Sequence, residues 1–310
     1  MSGECHPDGE TPRGHNRRLL VAALAAAAAA GLSAGCSRSS IAPTPDPDPG
    51  GAFVLVGAGD IADCGLQGAS LTARLLDRID GTVITLGDNA YPGGARVDFL
   101  NCYDPTWGRH IDRTRPSPGN HDYDTPGAAG YFEYFGERAG PPGEGYYRYT
   151  VGAWTVMALN SETGVRSNSV QAAWLRANLS VIPTRCTLAY WHRPLFSSGP
   201  NGNNADMRDI WRILYEFGVD LVLTGHDHLY ERFAPQDPDG RPDQSRGIRQ
   251  ITAGTGGGPL TPFAAIRPNS EVRGVGWGVL KLTLAESSYS WEFIPVEGGS
   301  LRDSGTSQCH

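Results

Sequence analysis

The sequence has no excess of positive charge, only one lysine and no Cys-x-x-Cys pair. It carries 33 acidic residues against 26 lysines and arginines, which gives a formal net charge of −7. Nucleic acids and anionic membranes are bound by basic surfaces that neutralise phosphates, so this charge argues against both as partners. The cysteine spacing argues against a zinc site built on cysteines. No H-E-x-x-H pattern is present, which disfavours a zinc hydrolase of that type.

Residues 1–35 have the composition of a signal peptide. Three arginines precede an uncharged, alanine-dominated run from Leu19 to Ala34, which is short for a membrane-spanning helix. Arg17 and Arg18, followed by two leucines, resemble a twin-arginine export signal, which carries folded proteins. An ordinary basic leader explains the same residues equally well, so both interpretations stay open.

The leader ends in LSAGC, which resembles the processing site of bacterial lipoproteins, where the cysteine becomes the lipidated N-terminus. Ser33 stands where those proteins usually have an aliphatic residue, so cleavage without a lipid on Cys36 also stays open. Residues 36–51 are rich in Pro, Asp and Ser and are predicted to be a disordered tether. We therefore expect an exported protein, either a cell-envelope lipoprotein or secreted, with one folded domain at 52–310. A lipid on Cys36 would be its only membrane attachment.

Four cysteines lie in the predicted domain, and an even number in an oxidising compartment indicates two disulfides. Three pairings are open. We favour Cys64 with Cys102 and Cys186 with Cys309, because the first two cysteines lie just after neighbouring strand ends.

Several apolar runs are predicted to be buried strands that end in polar residues. AFVLVGAGD and TVITLGD flank the helical pattern SLTARLLDRI, which predicts a parallel βαβ unit with Asp60 and Asp88 at the ends of adjacent strands. CTLAYWH and VDLVLTGHDH repeat the strand pattern. The remaining patterns predict a hairpin that turns at Gly152, helices in SVQAAWLRANL and MRDIWRILYEFG, and a C-terminal antiparallel hairpin in GVLKLTLAESSYSWEFIPV. The fold class is therefore α/β with mixed sheets.

Polar residues of the types that bind metal ions follow these strands. Asp60, Asp88, His192 and the pair His226 and His228 lie at strand ends, and a predicted loop adds Asn120, His121 and Asp122. Carboxylate and amide oxygens combined with imidazoles are the ligand set of two first-row metal ions. Open α/β sheets bind ligands at the carboxyl ends of their strands, so the sequence predicts a metal site there.

The series GD, GD, GNH, H and GHDH resembles the calcineurin-like metallophosphoesterases, whose dispersed signature ends in GNH and GHxH. The resemblance spans roughly Ala52 to Val296 in the same order. It implies a mixed β-sandwich flanked by helices, in four αββα layers, with a dinuclear metal centre at the strand ends.

One departure from the family pattern points to a particular branch. Most members have Asp-x-His in the first motif, whereas position 62 here is Ala. The second motif, GDNAY, places Tyr91 three residues after Asp88 and resembles the G-D-x-x-Y of purple acid phosphatases, in which the phenolate binds iron(III). GHDHLYER also resembles the last motif of that branch, and we expect Glu231 and Arg232 to form a supporting ion pair.

The resemblance implies a role for each residue. Fe(III) would be held by Asp60, Tyr91 and His228. A divalent ion (Fe, Zn or Mn) would be held by Asn120, His192 and His226, and Asp88 would bridge the two ions. A metal-activated hydroxide would attack the phosphorus in line.

Three further residues are predicted to take part in catalysis. His121 would protonate the leaving alkoxide or stabilise the phosphoryl oxygens, and Asp122 would orient it. Arg193 would grip a phosphate oxygen. No second histidine of the kind that assists the leaving group in purple acid phosphatases follows His192.

The resulting prediction is an exported hydrolase of phosphate monoesters that acts on a small phosphorylated substrate. A phosphodiesterase or nucleotide hydrolase on the same centre is the alternative, and a non-catalytic phosphate-binding protein is a third interpretation. Substrate choice would depend on Gly-, Pro- and Asn-rich loops after Tyr91, at 126–145 and at 197–206.

Overall fold

The computed structural model describes residues 51–182 and 184–310. The predicted signal peptide, Cys36 and the tether up to residue 50 lie outside the described residues. Among the helices that are described, none combines the length and the apolar composition needed to cross a bilayer.

Thirteen strands form the centre of the described chain. They are β1 (Phe53–Ala58), β2 (Thr82–Thr85), β3 (Thr114–Arg115), β4 (Tyr147–Val151), β5 (Trp154–Ala158), β6 (Cys186–Tyr190), β7 (Leu221–Thr224), β8 (Tyr230–Phe233), β9 (Arg249–Ala253), β10 (Ser270–Gly274), β11 (Gly278–Leu284), β12 (Ser288–Pro295) and β13 (Asp303–Gln308).

The strands form two mixed sheets. The first has the order β13-β12-β11-β1-β2-β3, and the second has the order β10-β8-β9-β7-β6-β5-β4. The predicted parallel unit is present, because β1 pairs with β2 in parallel register. The two predicted antiparallel hairpins are also present, as β4–β5 and β11–β12. Parallel pairing of β5, β6 and β7 brings their carboxyl ends to one edge of the second sheet.

Six α-helices accompany the sheets in the described part of the chain. They are α1 (Gly68–Leu76), α2 (Arg96–Asp98), α3 (Asn120–Asp124), α4 (Ala129–Phe135), α5 (Val170–Leu179) and α6 (Arg208–Glu216). A π-helical turn at Phe99–Tyr103 and 3-10 turns at Trp107–Arg113, Pro126–Ala128, Gly136–Ala139 and Ala205–Met207 complete the helical content.

Three apolar clusters lie between four layers. The largest lies between the two sheets and includes Leu55 of the first sheet and Leu188 of the second. A second cluster packs α5 and α6 against the outer face of the second sheet. A third packs α1 and the helical segment around Phe99 against the outer face of the first. The predicted α/β fold, a mixed β-sandwich flanked by helices, is confirmed.

Both disulfides have the predicted pairing, Cys64–Cys102 and Cys186–Cys309. The first joins the segment after β1 to the helical turn after Tyr91. The second joins β6 of one sheet to the end of β13 in the other.

Two segments differ from the sequence-based prediction. Residues 126–145, predicted as a loop, contain α4, whose Tyr131 and Phe135 are buried among other aromatic rings. The predicted ion pair between Glu231 and Arg232 is absent. Adjacent strand residues point to opposite faces, so Arg232 pairs with Asp303 at 2.7 Å whereas Glu231 accepts a hydrogen bond from the Ser198 backbone.

Candidate metal centre

The predicted ligands meet at the carboxyl ends of the central strands from both sheets. Three of them, Asp60, Asp88 and His226, have the left-handed backbone conformation, with φ of 59°, 50° and 74°. Non-glycine residues rarely adopt this conformation, and strained backbone of this kind concentrates at functional sites. The chain turns sharply after each strand, and a backbone amide links the two sheets where His226 N–H donates to Asp60 Oδ2 at 2.9 Å.

The first half of the site is formed by Asp60, Tyr91 and His228. The Tyr91 hydroxyl lies 3.2 Å from Asp60 Oδ1 and 3.1 Å from His228 Nε2. His228 Nε2 also lies 3.2 Å from Asp60 Oδ1. Tyr91 is buried rather than a surface aromatic, with 8 % of its surface exposed.

The second half is formed by Asn120, His192 and His226. His192 Nε2 lies 3.1 Å from Asn120 Oδ1 and 3.1 Å from His226 Nδ1. These contacts bring together side chains from α3, the end of β6 and the end of β7.

Asp88 lies between the two halves. Its Oδ2 atom is 3.3 Å from the Tyr91 hydroxyl and 3.2 Å from His192 Nε2. Its other oxygen accepts the His121 backbone N–H at 2.8 Å. One carboxylate oxygen therefore faces both sets of donor atoms, which is the position a bridging ligand requires.

Opposite charges compensate one another inside the site. Burial opposes ionisation of His192, but the adjacent Asp88 carboxylate raises the pKa of the imidazole to about 10. Burial also opposes ionisation of Asp88, but the interaction with His192 is stronger than this effect and lowers the pKa of Asp88. For His228, burial is outweighed by Asp60, and the pKa rises to about 9. His226, desolvated and close to His192, has its pKa lowered to about 3.

The donor atoms fit metal ions. Two carboxylate oxygens and an imidazole nitrogen lie around the Tyr91 hydroxyl. The phenol has only one proton, so it can donate a hydrogen bond to only one of them at a time. Two of the imidazole rings are held in place by backbone carbonyls. Nδ1 of His192 contacts the Leu86 carbonyl, and Nδ1 of His228 contacts the Pro259 carbonyl. Such contacts fix the ring and leave Nε2 as the ligand atom. Cations at the two halves would satisfy these acceptors.

The region from 43 to 230 matches the family model described as calcineurin-like phosphoesterase. This chain belongs to the calcineurin-like phosphoesterase family. Its branch is the purple acid phosphatase-like one, whose members use a dinuclear metal centre.

Individual relatives agree with this assignment. The chain is 28 % identical over 275 residues to purple acid phosphatase 21 of Arabidopsis thaliana, covering 75 % of this chain and 59 % of that protein. It is 24 % identical over 296 residues to a nucleotide pyrophosphatase/phosphodiesterase of Hordeum vulgare, covering 81 % and 78 %. The chain spans about half the length of purple acid phosphatases 23, 21 and 18 of Arabidopsis thaliana, at 46 %, 59 % and 48 %.

A solved structure shows the same fold. The structure of purple acid phosphatase PPD1 from yellow lupin (Lupinus luteus) seeds aligns with a TM-score of 0.65 and 19 % identity, covering 84 % of this chain and 54 % of that one.

In this member of the calcineurin-like phosphoesterase family, the residues next to the ligands differ in part from the prediction. Asn120, His121 and Asp122 lie in the first turn of α3 rather than in a loop. Asp122 does not orient His121, because its carboxylate accepts hydrogen bonds from Gly119 N–H at 2.8 Å and the Asn89 amide at 2.9 Å. Burial, followed by repulsion from Asp88, raises the pKa of Asp122 to about 7.

His121 is instead held by the Pro92 carbonyl and by Asp124. Its Nδ1 lies 2.8 Å from the carbonyl oxygen and 3.0 Å from Asp124 Oδ2. Its ring packs against Tyr91 with centroids 4.8 Å apart. The role of Asp124 could not be predicted from the sequence. This segment was predicted to be a loop, whereas a helical turn brings positions 121 and 124 together.

Arg193 lies beside the second half of the site. Its Nη1 atom is 3.2 Å from His226 Nε2, and its Nε donates to both oxygens of Glu162 at 2.9 and 3.0 Å. Glu162 was not predicted, although a signal was present: it follows the buried strand β5, as the predicted ligands follow theirs.

Proposed function

We propose that this protein is an exported phosphatase that hydrolyses phosphate monoesters at a centre of Fe(III) and a divalent ion (Fe, Zn or Mn). The convergence of Asp60, Tyr91 and His228 carries the proposal. The first-motif position usually occupied by histidine is Ala62, which is fully buried, so Tyr91 would supply the missing ligand.

The environment of Tyr91 favours a trivalent ion. Burial, Asp60 and Asp88 raise the pKa of the phenol well above its usual value. A cation held by Asp60, Asp88 and Tyr91 would compensate these carboxylate charges and convert the phenol to a phenolate ligand. The divalent ion would be held by Asn120, His192 and His226, with Asp88 between the two.

When bound, the two ions supply a water of lowered pKa and neutralise charge on the phosphoryl group. Protonation of the leaving group and binding of the phosphate oxygens would depend on the protein's own residues. Nδ1 of His121 is occupied by the Pro92 carbonyl and Asp124, so Nε2 is the atom available to protonate the leaving alkoxide or bind a phosphoryl oxygen. Arg193, oriented by Glu162, would bind a phosphate oxygen through its terminal nitrogens.

The other parts of the proposal rest on the sequence. The leader before residue 36 supports export, either as a lipoprotein anchored through Cys36 or as a secreted protein. The net charge of −7 supports a small phosphorylated substrate rather than nucleic acid.

The deciding experiment combines the visible absorption spectrum with metal analysis. The proposal predicts bound iron and a purple or pink charge-transfer band that disappears in Tyr91→Phe. Tyr103→Phe is the matched control, because Tyr103 is buried and its hydroxyl has no hydrogen-bond partner among the described residues. A colourless, active protein with two other metals would remove Tyr91 from the site, and a metal-free, inactive protein would favour a phosphate-binding role.

A nucleotide pyrophosphatase or phosphodiesterase is the second candidate. It is favoured by the barley relative of that name, which matches over 81 % of this chain. Hydrolysis of bis-p-nitrophenyl phosphate or ATP in preference to p-nitrophenyl phosphate would select it.

A further inference from the structure

Asp227 lies between the predicted metal ligands His226 and His228 and is a carboxylate that the proposed mechanism does not use. Its side chain is fully buried. Its Oδ1 atom accepts the Asn201 backbone N–H at 3.0 Å, and its Oδ2 atom accepts the Ser197 hydroxyl. Both oxygens are therefore used to hold a neighbouring loop.

That loop, residues 197–204, packs closely on the carboxylate. A Cβ atom at Gly199 would lie 2.3 Å from Asp227 Cγ. The Ser197 hydroxyl also accepts the Gly199 N–H at 3.0 Å, and the Ser197 N–H donates to Asn203 Oδ1 at 2.9 Å. The loop is therefore folded around Asp227, which fixes the position of the loop relative to the metal-binding turn.

The backbone of His226 is strained and requires support. Its φ of 74° is left-handed, and the Asp227 N–H bonds across it to the Gly225 carbonyl at 3.0 Å. Three-residue turns with a positive φ are rare and strained, and such strain persists only where surrounding contacts enforce it. The position of the His226 imidazole therefore depends on the groups that hold its backbone.

Two side chains hold the His226 backbone, one at each end of the residue. The N–H donates to Asp60 Oδ2 at 2.9 Å, and the carbonyl accepts the Asn201 side-chain amide at 3.1 Å. Asn201 thus binds two consecutive residues, the carbonyl of His226 through its amide and the carboxylate of Asp227 through its backbone. Removing the carboxylate would release Asn201 and weaken one of the two supports of the turn.

His228, in the other half of the centre, is held by different residues. Its Nδ1 atom contacts the Pro259 carbonyl, and its own carbonyl accepts the Thr261 N–H at 3.1 Å. Both partners lie outside loop 197–204. We therefore expect the side chain of Asp227 to affect the half-site of His226 more than that of His228.

Glu231 is a second carboxylate that binds the same loop, and it is also fully buried. Its Oε2 atom accepts the Ser198 N–H at 2.9 Å, and its Oε1 atom accepts the Ser270 hydroxyl. Its partners are Ser198 and Ser270 rather than Asn201. Glu231 therefore supports the loop but not the turn at His226.

We propose that Asp227 is a positioning residue for the divalent ion and acts through Asn201 on the ligand His226. The inference rests on the proposed two-metal function and adds a role for the middle position of the GHDH motif. Through Asp227, the loop beside the site and one metal ligand are held as a unit.

The test titrates Zn²⁺ by calorimetry into protein from which the divalent ion has been removed with a chelator. The visible band and iron content of the same samples are also recorded. Asp227→Ala should raise the Kd for Zn²⁺ at least about tenfold and keep the iron and its band. Asn201→Ala, at an exposed side chain, removes only the amide and should raise the Kd about three- to tenfold.

Asp227→Asn should restore most of the affinity lost in Asp227→Ala. Its amide oxygen can accept the Asn201 N–H while its NH2 group donates to Ser197 Oγ. Recovery in this variant would show that the hydrogen bonds to the loop, and not the negative charge, support the ion.

Glu231→Ala is the matched control. It should lower the thermal unfolding midpoint as Asp227→Ala does but leave the Kd for Zn²⁺ unchanged. An equal rise in Kd in both variants, loss of iron together with Zn²⁺ in Asp227→Ala, or an unchanged Kd in Asn201→Ala would overturn the inference. The last measurement decides alone if Asp227→Ala does not fold. A parent protein that binds neither metal and releases no phosphate would overturn the proposed function as well.

Discussion

The phenolic oxygen of Tyr91 lies 3.1 Å from Nε2 of His228, although 137 positions separate the two residues. Tyr91 follows β2 of the first sheet and His228 follows β7 of the second, so the contact joins the two halves of the sandwich. Asp88 continues the same line of contacts to His192. The centre therefore depends on both sheets having the correct relative position.

Asp88→Asn is expected to remove both metal ions and phosphatase activity. The change deletes the charge between the two half-sites and leaves the buried His192 without its carboxylate partner. Metal content and phosphate release should both fall to background. Asp112→Asn, at a side chain that is 95 % exposed, is the control and should retain both. Unchanged activity in Asp88→Asn would exclude the proposed mechanism.

His121→Ala is expected to lower kcat about 100- to 10,000-fold, the usual contribution of a general acid, with metal content unchanged. His121 contacts Asp88 through its backbone N–H and packs its ring against Tyr91, while its Nδ1 is held by Pro92 and Asp124, so its side chain is not expected to bind a metal ion. Steady-state kinetics with metal analysis of the same sample measures this. A loss of metal in His121→Ala would show that the side chain acts as a ligand instead.

Asp124→Asn and Asp122→Asn should have different effects. Asp124 holds His121, so its replacement should lower kcat and leave the thermal unfolding midpoint nearly unchanged, since Asp124 is largely exposed. Asp122 accepts hydrogen bonds from Gly119 and Asn89 inside the protein, so its replacement should lower the midpoint. The opposite pattern would restore the orienting role to Asp122.

Gly119→Ala is expected to disrupt the site by crowding. A Cβ at position 119 would lie 2.3 Å from Asp88 Oδ1 and 2.8 Å from His192 Cγ. Relieving the overlap should cost about 1–3 kcal/mol in unfolding free energy and reduce metal content. Gly276→Ala, where a Cβ meets nothing within 4 Å, is the control. Retention of metal and stability in Gly119→Ala would contradict the packing described here.

Asp303 is expected to stabilise the protein in a pH-dependent way. Its carboxylate accepts hydrogen bonds from Tyr230, Arg232 and Trp291, at 2.7, 2.7 and 3.0 Å. Burial raises its pKa, but the hydrogen bonds from Arg232, Tyr230 and Trp291 and the charge of Arg232 together lower it below the ordinary value of 3.8. The stabilisation is therefore fully present above pH 3.8 and is lost as the pH falls through the lower folded-state value.

Urea unfolding of metal-free protein tests this. Asp303→Asn should lower the unfolding free energy at neutral pH by about 1–3 kcal/mol and should lose less further stability below pH 3.8 than the parent. The same acid dependence in both proteins would show that Asp303 does not contribute to it.

The strands predicted from the sequence are those whose apolar residues form a continuous run or alternate with polar ones. β1, β2, β6 and β7 are continuous buried runs, and β11 and β12 alternate. β13 was missed because its sequence, DSGTSQ, contains no apolar residue. It is held by backbone pairing with β12 and by the disulfide at Cys309.

The site follows the same rule. Residues that directly follow recognisable strands could be assigned to it from the sequence. Contacts that depend on the direction in which a side chain points could not be predicted from the sequence. Asp124 rather than Asp122 holds His121, and Asp303 rather than Glu231 partners Arg232, because one turn of helix or one strand position decides which neighbour is reached.

The Cys186–Cys309 bond lies at the start of β6, and the same strand runs on toward His192 at its other end. The two layers are thus joined covalently at the end of the sandwich that is farthest along β6 from the ligands. Each half-site combines side chains from both sheets, as Tyr91 with His228 and Asn120 with His192 show. By holding the two sheets in register, the disulfide therefore also keeps together the ligands of both half-sites, although it lies at the other end of β6.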